Sequence, residues 1–225
     1  VIDIGAESTR SGFTDVEEDA QIKTLLPVID FIKNNYKIPI SIDTRSSKVA
    51  MAFEEHDINF INDVSSGFHD SNMLDTVSKL GCSFIMTHMP REHKEGKVKE
   101  FDNIVAEISS YFIERIESCK KAGIETEKLI IDPGVGFGKS GEDNITLLNN
   151  IESLKQVHKN VCIGSSNKRY SSRLFENIQT KEDLRVANLV TFATSTLSYA
   201  TYLRVHDVEL TKDTVQVISK AMSLT

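Results

Sequence analysis

The sequence has no basic tail, no low-complexity segment and no apolar run near the about 18 residues that a membrane-crossing helix needs. Its formal net charge of −7 and pI of about 5.4 argue against nucleic acid or an anionic membrane surface as a partner. Cysteine is scarce: Cys82, Cys119 and Cys162 are odd in number, far apart and without metal-ligand spacing. They read as reduced packing residues, which places the expectation in a cytoplasmic compartment. No domain linker interrupts the 225 residues, a length that suits one large α/β domain.

What the chain does have is one organising stretch, residues 129–139, reading Leu-Ile-Ile-Asp-Pro-Gly-Val-Gly-Phe-Gly-Lys. Three apolar residues are too few for a helix and right for a strand buried on both faces. The run stops at Asp132, and Pro133 with Gly134 turns the chain at once. Gly134, Gly136 and Gly138 expose bare backbone before a helix expected over residues 142–156. A carboxylate is thus held at the carboxyl end of a buried strand beside a glycine-rich loop, where parallel α/β folds place ligands. A tight turn with Asp132 as a local cap is the plain alternative.

The same unit of strand, polar loop and amphipathic helix recurs along the chain. Strands are expected at residues 1–4, 40–42, 60–61, 83–86, 129–131, 161–163 and 202–205. Between them, Thr14 with Glu17 and Thr180 with Asp183 have capping-box spacing. Helices are expected at residues 46–55, 71–80, 102–122 and 212–222; residues 90–100 read as a charged, mobile loop, whose run 94–100 is most simply solvated. Seven βα units without a hairpin signal imply a parallel sheet with right-handed crossovers. Polar residues finish nearly every strand instead of clustering at one switch point. That favours a TIM (β/α)₈ barrel lacking its first βα unit over an open sheet. The chain opens inside an apolar strand at Val1, so the single domain, residues 1–225, is expected to be N-terminally incomplete and to have little activity alone.

On a barrel, the strand ends bring Asp3, Asp43, Asn62, His88, Asp132, Lys168, Arg204 and His206 to one face. Asp43, Asn62 and Asp132 offer acceptors suited to a flat heterocycle with several N–H groups. Arg204, His206 and Lys168 supply positive charge for an anion such as phosphate. Asp3 and Asp63 orient loops or meet a ligand, and spacing does not decide which. His56, His69, His93 and His158 read as surface residues.

Taken together, several blocks resemble the dihydropteroate synthase family: Ile2-Asp3-Ile4-Gly5 with Glu7-Ser8-Thr9-Arg10, Ser41-Ile42-Asp43-Thr44, and Ile61-Asn62-Asp63-Val64-Ser65. The segment from Asp132 to Lys139 and the run Arg204-Val205-His206-Asp207-Val208 complete the series in the family's order. The resemblance implies a TIM barrel that condenses 6-hydroxymethyl-7,8-dihydropterin diphosphate with p-aminobenzoate, releasing pyrophosphate and making 7,8-dihydropteroate for folate synthesis. It implies that Asp43, Asn62, Asp132 and Lys168 hold the pterin, while Arg204 and His206 bind the leaving pyrophosphate. Lys168, Arg204 and His206 are the catalytic candidates. Thr9 and Arg10 would lie on a loop over the p-aminobenzoate site, where sulfonamides compete, with Phe137, Gly138 and Arg169 also contacting substrate.

Mg²⁺ is implied with the diphosphate, its protein ligand belonging to the family's first strand, and homodimers occur in the family. Departures are Ala6 for the usual glycine, Ser11 for proline, Asn167 for arginine and Ala200-Thr201 for Gly-Ala. A pterin-binding methyltransferase domain and a catalytically silent pterin-binding domain remain as alternatives.

Overall fold

The computed structural model describes residues 1–164 and 180–223. Strands β1 (Ile2–Gly5), β2 (Ile40–Asp43), β3 (Phe60–Asp63), β4 (Ser83–Thr87) and β5 (Leu129–Asp132) form one parallel sheet in sequence order. Strands β6 (Cys162–Ile163) and β7 (Tyr202–Leu203) pair in parallel with each other. A single bridge between Ile131 and Val161 joins the two sheets edge to edge. Seven strands therefore run in order, each followed by helical chain or the undescribed segment, and β7 does not pair with β1 among the described residues. This is the unclosed seven-unit barrel that the strand count predicts.

Helices α1 (Glu18–Asn35), α2 (Ser47–Met51), α3 (Met73–Leu80) and α5 (Ile104–Lys121) pack their apolar residues on β1–β5, while the short α4 (Arg91–Lys94) lies against the loops after β1 and β5. Helices α6 (Gly141–Asn149), α7 (Ile151–Val157), α8 (Lys181–Leu197) and α9 (Val208–Met222) follow. The apolar core lies between strands and helices, with Ile40, Ile42, Ile61, Phe84, Met86, Leu129 and Ile131 fully buried. Each contributes about 1.5–3 kcal/mol by leaving water. All three cysteines are buried, and none of them forms a disulfide.

Register explains which strand residues reach that core. Ile42 pairs with Ile61, while Ser41 pairs with Phe60 and Asp43 with Asn62. Strand period two then turns Ile40, Ile42 and Ile61 outward to the helices and leaves Ser41, Asp43, Phe60 and Asn62 inside. Across the interior, the Phe60 and Tyr202 rings meet edge-on at 6.4 Å.

Helix boundaries depart from the sequence pattern where long-range contacts win. The Thr14–Glu17 capping box does not form: α1 starts after Glu17, whose side chain makes no cap bond. Instead the Glu7 carboxylate accepts from the Val16 amide at 3.0 Å, and Asp15 is drawn to Arg45 at 2.9 Å. The Thr180–Asp183 box does form, as does a Ser140–Asp143 box at the start of α6. The helix expected over residues 142–156 breaks at Asn150, which leaves the helical region and whose side chain donates to the Thr146 carbonyl at 2.7 Å. The helix expected at 46–55 stops at Met51, and a 3₁₀ turn, Glu54–His56, continues it.

Candidate active site

Period two, applied at the carboxyl ends of the strands, selects the residues that meet inside. Asp3 pairs in register with Ser41, Gly5 with Asp43 and Asp43 with Asn62, so all share the inner face. Arg204, just past β7, reaches across the unpaired gap: Nη1 donates to Asp3 Oδ2 at 3.1 Å and to Asp43 Oδ2 at 3.2 Å. Asn62 Nδ2 also donates to Asp3 Oδ2, at 3.1 Å. Residues separated by two hundred positions thus form one acid–amide–guanidinium network.

The network borders a cavity of about 650 Å³ between β1 and β7, lined also by Gly164, Tyr202 and His206. That volume suits a small organic substrate. Gly164 lets the chain pass close to the network: a Cβ there would lie 3.2 Å from Arg204 Nε and 3.3 Å from Asp132 Oδ2. Asp132 is buried, and its Oδ1 accepts from the Gly134 amide at 2.7 Å, so only part of its carboxylate is committed to the turn. Beside the network, Asp3 Oδ1 and Ser41 Oγ are buried and have no hydrogen-bond partner among the described residues. Orphaned buried polar atoms mark a place where a ligand's donors belong.

Charge at the network is finely balanced. Burial, reinforced by Asp3, pushes the Asp43 carboxyl up to about 7 despite the pull of Arg204. Burial acts to lower Arg204, yet Asp43, Asp3 and Asp132 together hold its guanidinium more firmly protonated than usual.

Several expected residues lie elsewhere. His88 follows Thr87, which shares the inner face with Asp132, so its own side chain turns outward. Its ring packs edge-on against Tyr111 at 4.8 Å, and burial, with Lys139 and Lys99 nearby, holds it well below the ordinary histidine range. Asp63, also outward, accepts from the Ser65 amide, the Ser65 hydroxyl and the Gly67 amide, and so organises a loop. His93 and His158, read as surface residues, are buried. Phe137 is buried against the His93 ring at 4.8 Å, and Gly138 packs on Pro90 and His93; neither lines the cavity.

Thr9 and Arg10 sit on the loop after β1, half-buried and exposed respectively. Lys168 and Arg169 lie outside the described residues. Sequence reasoning missed Lys139, which is buried with its ammonium donating to the His88, Gly134 and Phe137 carbonyls. Arg45 was missed as well: it is buried and pairs with Glu7 and Asp15.

A parallel, barrel-type sheet with acids, an amide and an arginine gathered at its strand ends has the layout of an α/β-barrel enzyme with a polar site. The profile of the family described as pterin binding enzyme matches residues 1–206. Dihydropteroate synthase of Escherichia coli K12 is 30% identical over 224 residues, covering 99% of this chain and 78% of that protein. A Xanthomonas albilineans dihydropteroate synthase structure with 4-aminobenzoic acid superposes with a TM-score of 0.91 at 33% identity, covering 98% of this chain and 78% of that one. The Yersinia pestis enzyme in a sulfonamide complex gives 0.92 at 27% identity, covering 99% and 80%. The chain belongs to the dihydropteroate synthase family of pterin-binding enzymes.

Proposed function

We propose that the site condenses 6-hydroxymethyl-7,8-dihydropterin diphosphate with p-aminobenzoate, as the family membership implies. The carrying observation is the convergence of Asp3, Asp43 and Arg204 on one cavity, with Asn62 bonded to Asp3 and two acceptors, Asp3 Oδ1 and Ser41 Oγ, orphaned among the described residues. The acids and Asn62 receive the pterin's ring N–H groups deep in the site, with Asp132 beside them. Arg204, from within the acid network, and His206, on the same cavity wall, neutralise the diphosphate. Its departure breaks the C–O bond at the exocyclic carbon, and pyrophosphate carries away the electron pair. The electron-rich pterin stabilises the cation that remains. The arylamine nitrogen then forms the C–N bond and loses a proton. The protein's part is orientation and charge neutralisation.

Mg²⁺ enters this reading as a companion of the diphosphate oxygens, which suits an ion bound by few protein ligands. Among the described residues no group of three or more His, Cys, Asp or Glu is arranged to hold a metal, so no step is assigned to it. Lys168 and Arg169 keep their proposed contacts to the pterin and to the p-aminobenzoate carboxylate. The homodimer is likewise proposed: Val186, Val190 and Leu197 of α8 and Val217 of α9 are exposed apolar side chains, and sedimentation measures the assembly. No helix among the described residues is long and apolar enough to cross a membrane.

The decisive experiment compares two ligands. Arg204→Ala in the intact protein weakens binding of the pterin diphosphate by about 30-fold or more, the scale of unpairing a buried charge contact. Binding of the diphosphate-free pterin alcohol barely changes. Equal losses for both ligands assign Arg204 a general structural role. Binding without p-aminobenzoate-dependent pyrophosphate release supports the catalytically silent alternative.

A further inference from the structure

The charged stretch after β4 is more than a solvated loop. Its helix α4 carries His93, which is 6% exposed and engaged through both ring nitrogens. Nδ1 lies 3.1 Å from the Gly138 amide nitrogen, and an amide N–H only donates, so Nδ1 accepts. The proton of the neutral ring then sits on Nε2, which lies 3.0 Å from the Thr9 carbonyl oxygen, an acceptor only. The two contacts select the same tautomer and require each other. Gly138 has φ +55°, and a Cβ there would come within 3.1 Å of His93 Cβ, so glycine lets the turn approach. The ring also stacks at a tilt on Phe137.

The next residue grips the far end of the same loop. Lys94 donates to both carboxylate oxygens of Asp15, at 2.8 and 2.9 Å, and lies over the Phe13 ring at 5.0 Å. Neighbouring side chains of α4 therefore hold the loop after β1 at Thr9 and at Asp15. Only His93 also holds the turn after β5. The acid–arginine network on β1, β2, β3 and β7 has no member in this clamp.

We propose that His93 is a positioning residue that fixes the Thr9–Arg10 backbone against the Phe137–Gly138 turn and so sets the arylamine side of the site. The inference rests on the function proposed above. Its signature is selectivity: disturbing the clamp changes the fit of the arylamine and spares the pterin.

Three substitutions separate the contacts. His93→Asn places an oxygen near the position of Nδ1 and keeps an acceptor for Gly138. His93→Gln places an amide nitrogen near the position of Nε2 and keeps a donor for Thr9. His93→Ala keeps neither. In the intact protein, His93→Ala raises KM for p-aminobenzoate by about tenfold, the scale of one or two lost hydrogen bonds, while KM for the pterin diphosphate stays within about twofold. The Asn and Gln variants fall between. Amide exchange at Gly138 quickens in the Ala and Gln variants and not in Asn. Equal shifts in both KM values overturn the inference, as does an unchanged arylamine KM alongside faster Gly138 exchange. A wild-type protein that turns over neither substrate overturns the proposed function, and the inference with it. Normal wild-type turnover with unsplit variants overturns the inference alone.

Discussion

Asp43 ends β2 and Asp63 ends β3, yet the tips of these neighbouring strands treat a carboxylate in opposite ways. Asp43 is in register with Asn62, so Asp63 falls on the other face of the sheet. Both Asp63 oxygens are engaged by the loop that follows, at 2.6–2.7 Å from Ser65 and Gly67 donors. Asp43 meets the Arg204 guanidinium and faces the cavity. Burial raises both carboxyls above the ordinary range, against the loop donors at Asp63 and against Arg204 at Asp43. Face decides the outcome. The outward carboxylate is satisfied by two backbone N–H groups and a hydroxyl and stiffens a loop, whereas the inward one keeps capacity for a ligand.

Asp132 stands between these two cases, and its turn supplies the largest expected effect. Gly134 has φ +69°, and a Cβ there would lie 2.1 Å from the His88 carbonyl oxygen. Gly134→Ala therefore destabilises the fold by about 3 kcal/mol or more, measured by denaturant unfolding. A loss below about 1 kcal/mol would mean that the turn is not held against His88. Next in size is the direct contrast. Asp63→Ala removes three hydrogen bonds and costs about 2–3 kcal/mol of stability. At about pH 4, where the folded carboxyl is as neutral as an amide, Asp43→Asn leaves stability nearly unchanged, and at neutral pH it weakens pterin binding by about 1–3 kcal/mol in calorimetry. If Asp43→Asn destabilises as much as Asp63→Ala, the two tips do the same job and the contrast fails.

A pH titration probes the inward tip alone. The folded Asp43 carboxyl, at about 7, lies above its ordinary value of 3.8, so between these values the folded protein holds the extra proton. Its contribution to stability is full below about pH 4 and is lost as pH rises through about 7. Pterin binding through the ionised carboxylate runs the other way, strengthening up to about tenfold between pH 6 and 8. Asp43→Asn flattens both slopes, and a wild-type binding curve already flat over this range would contradict the role given to Asp43.

Most of the architecture was legible because it is local. Short apolar strands, the glycine turn and the Thr180–Asp183 cap follow from neighbours in sequence, and each appears where the pattern places it. The gathering of Asp3, Asp43, Asn62 and Arg204 followed from strand ends on a barrel. The outward turns of Asp63 and His88 were within reach too, since period two from Asn62 and Thr87 determines both. Other features depend on partners far along the chain, beyond any local pattern. His93 reads as one more polar residue in a charged run until Thr9 and Gly138 flank it. His158 is buried because the Thr126 carbonyl meets it 32 positions away. The Thr14–Glu17 box fails for the same reason, as Glu7 and Arg45 hold that segment elsewhere.

The three buried cysteines, none of them in a disulfide, give the molecule internal reporters. Burial pushes the thiols of Cys82 and Cys119 up to about 11. Alkylating reagents attack the thiolate, so these groups are doubly silent in the native state, shielded and un-ionised. Labelling at neutral pH then times the opening of the region around each sulfur. Cys82 reports at the entry to β4, Cys119 at the end of α5 and Cys162 within β6. If the single-bridge seam between β5 and β6 opens before the rest of the sheet, Cys162 is modified first, and the order of labelling becomes a map of where the barrel comes apart.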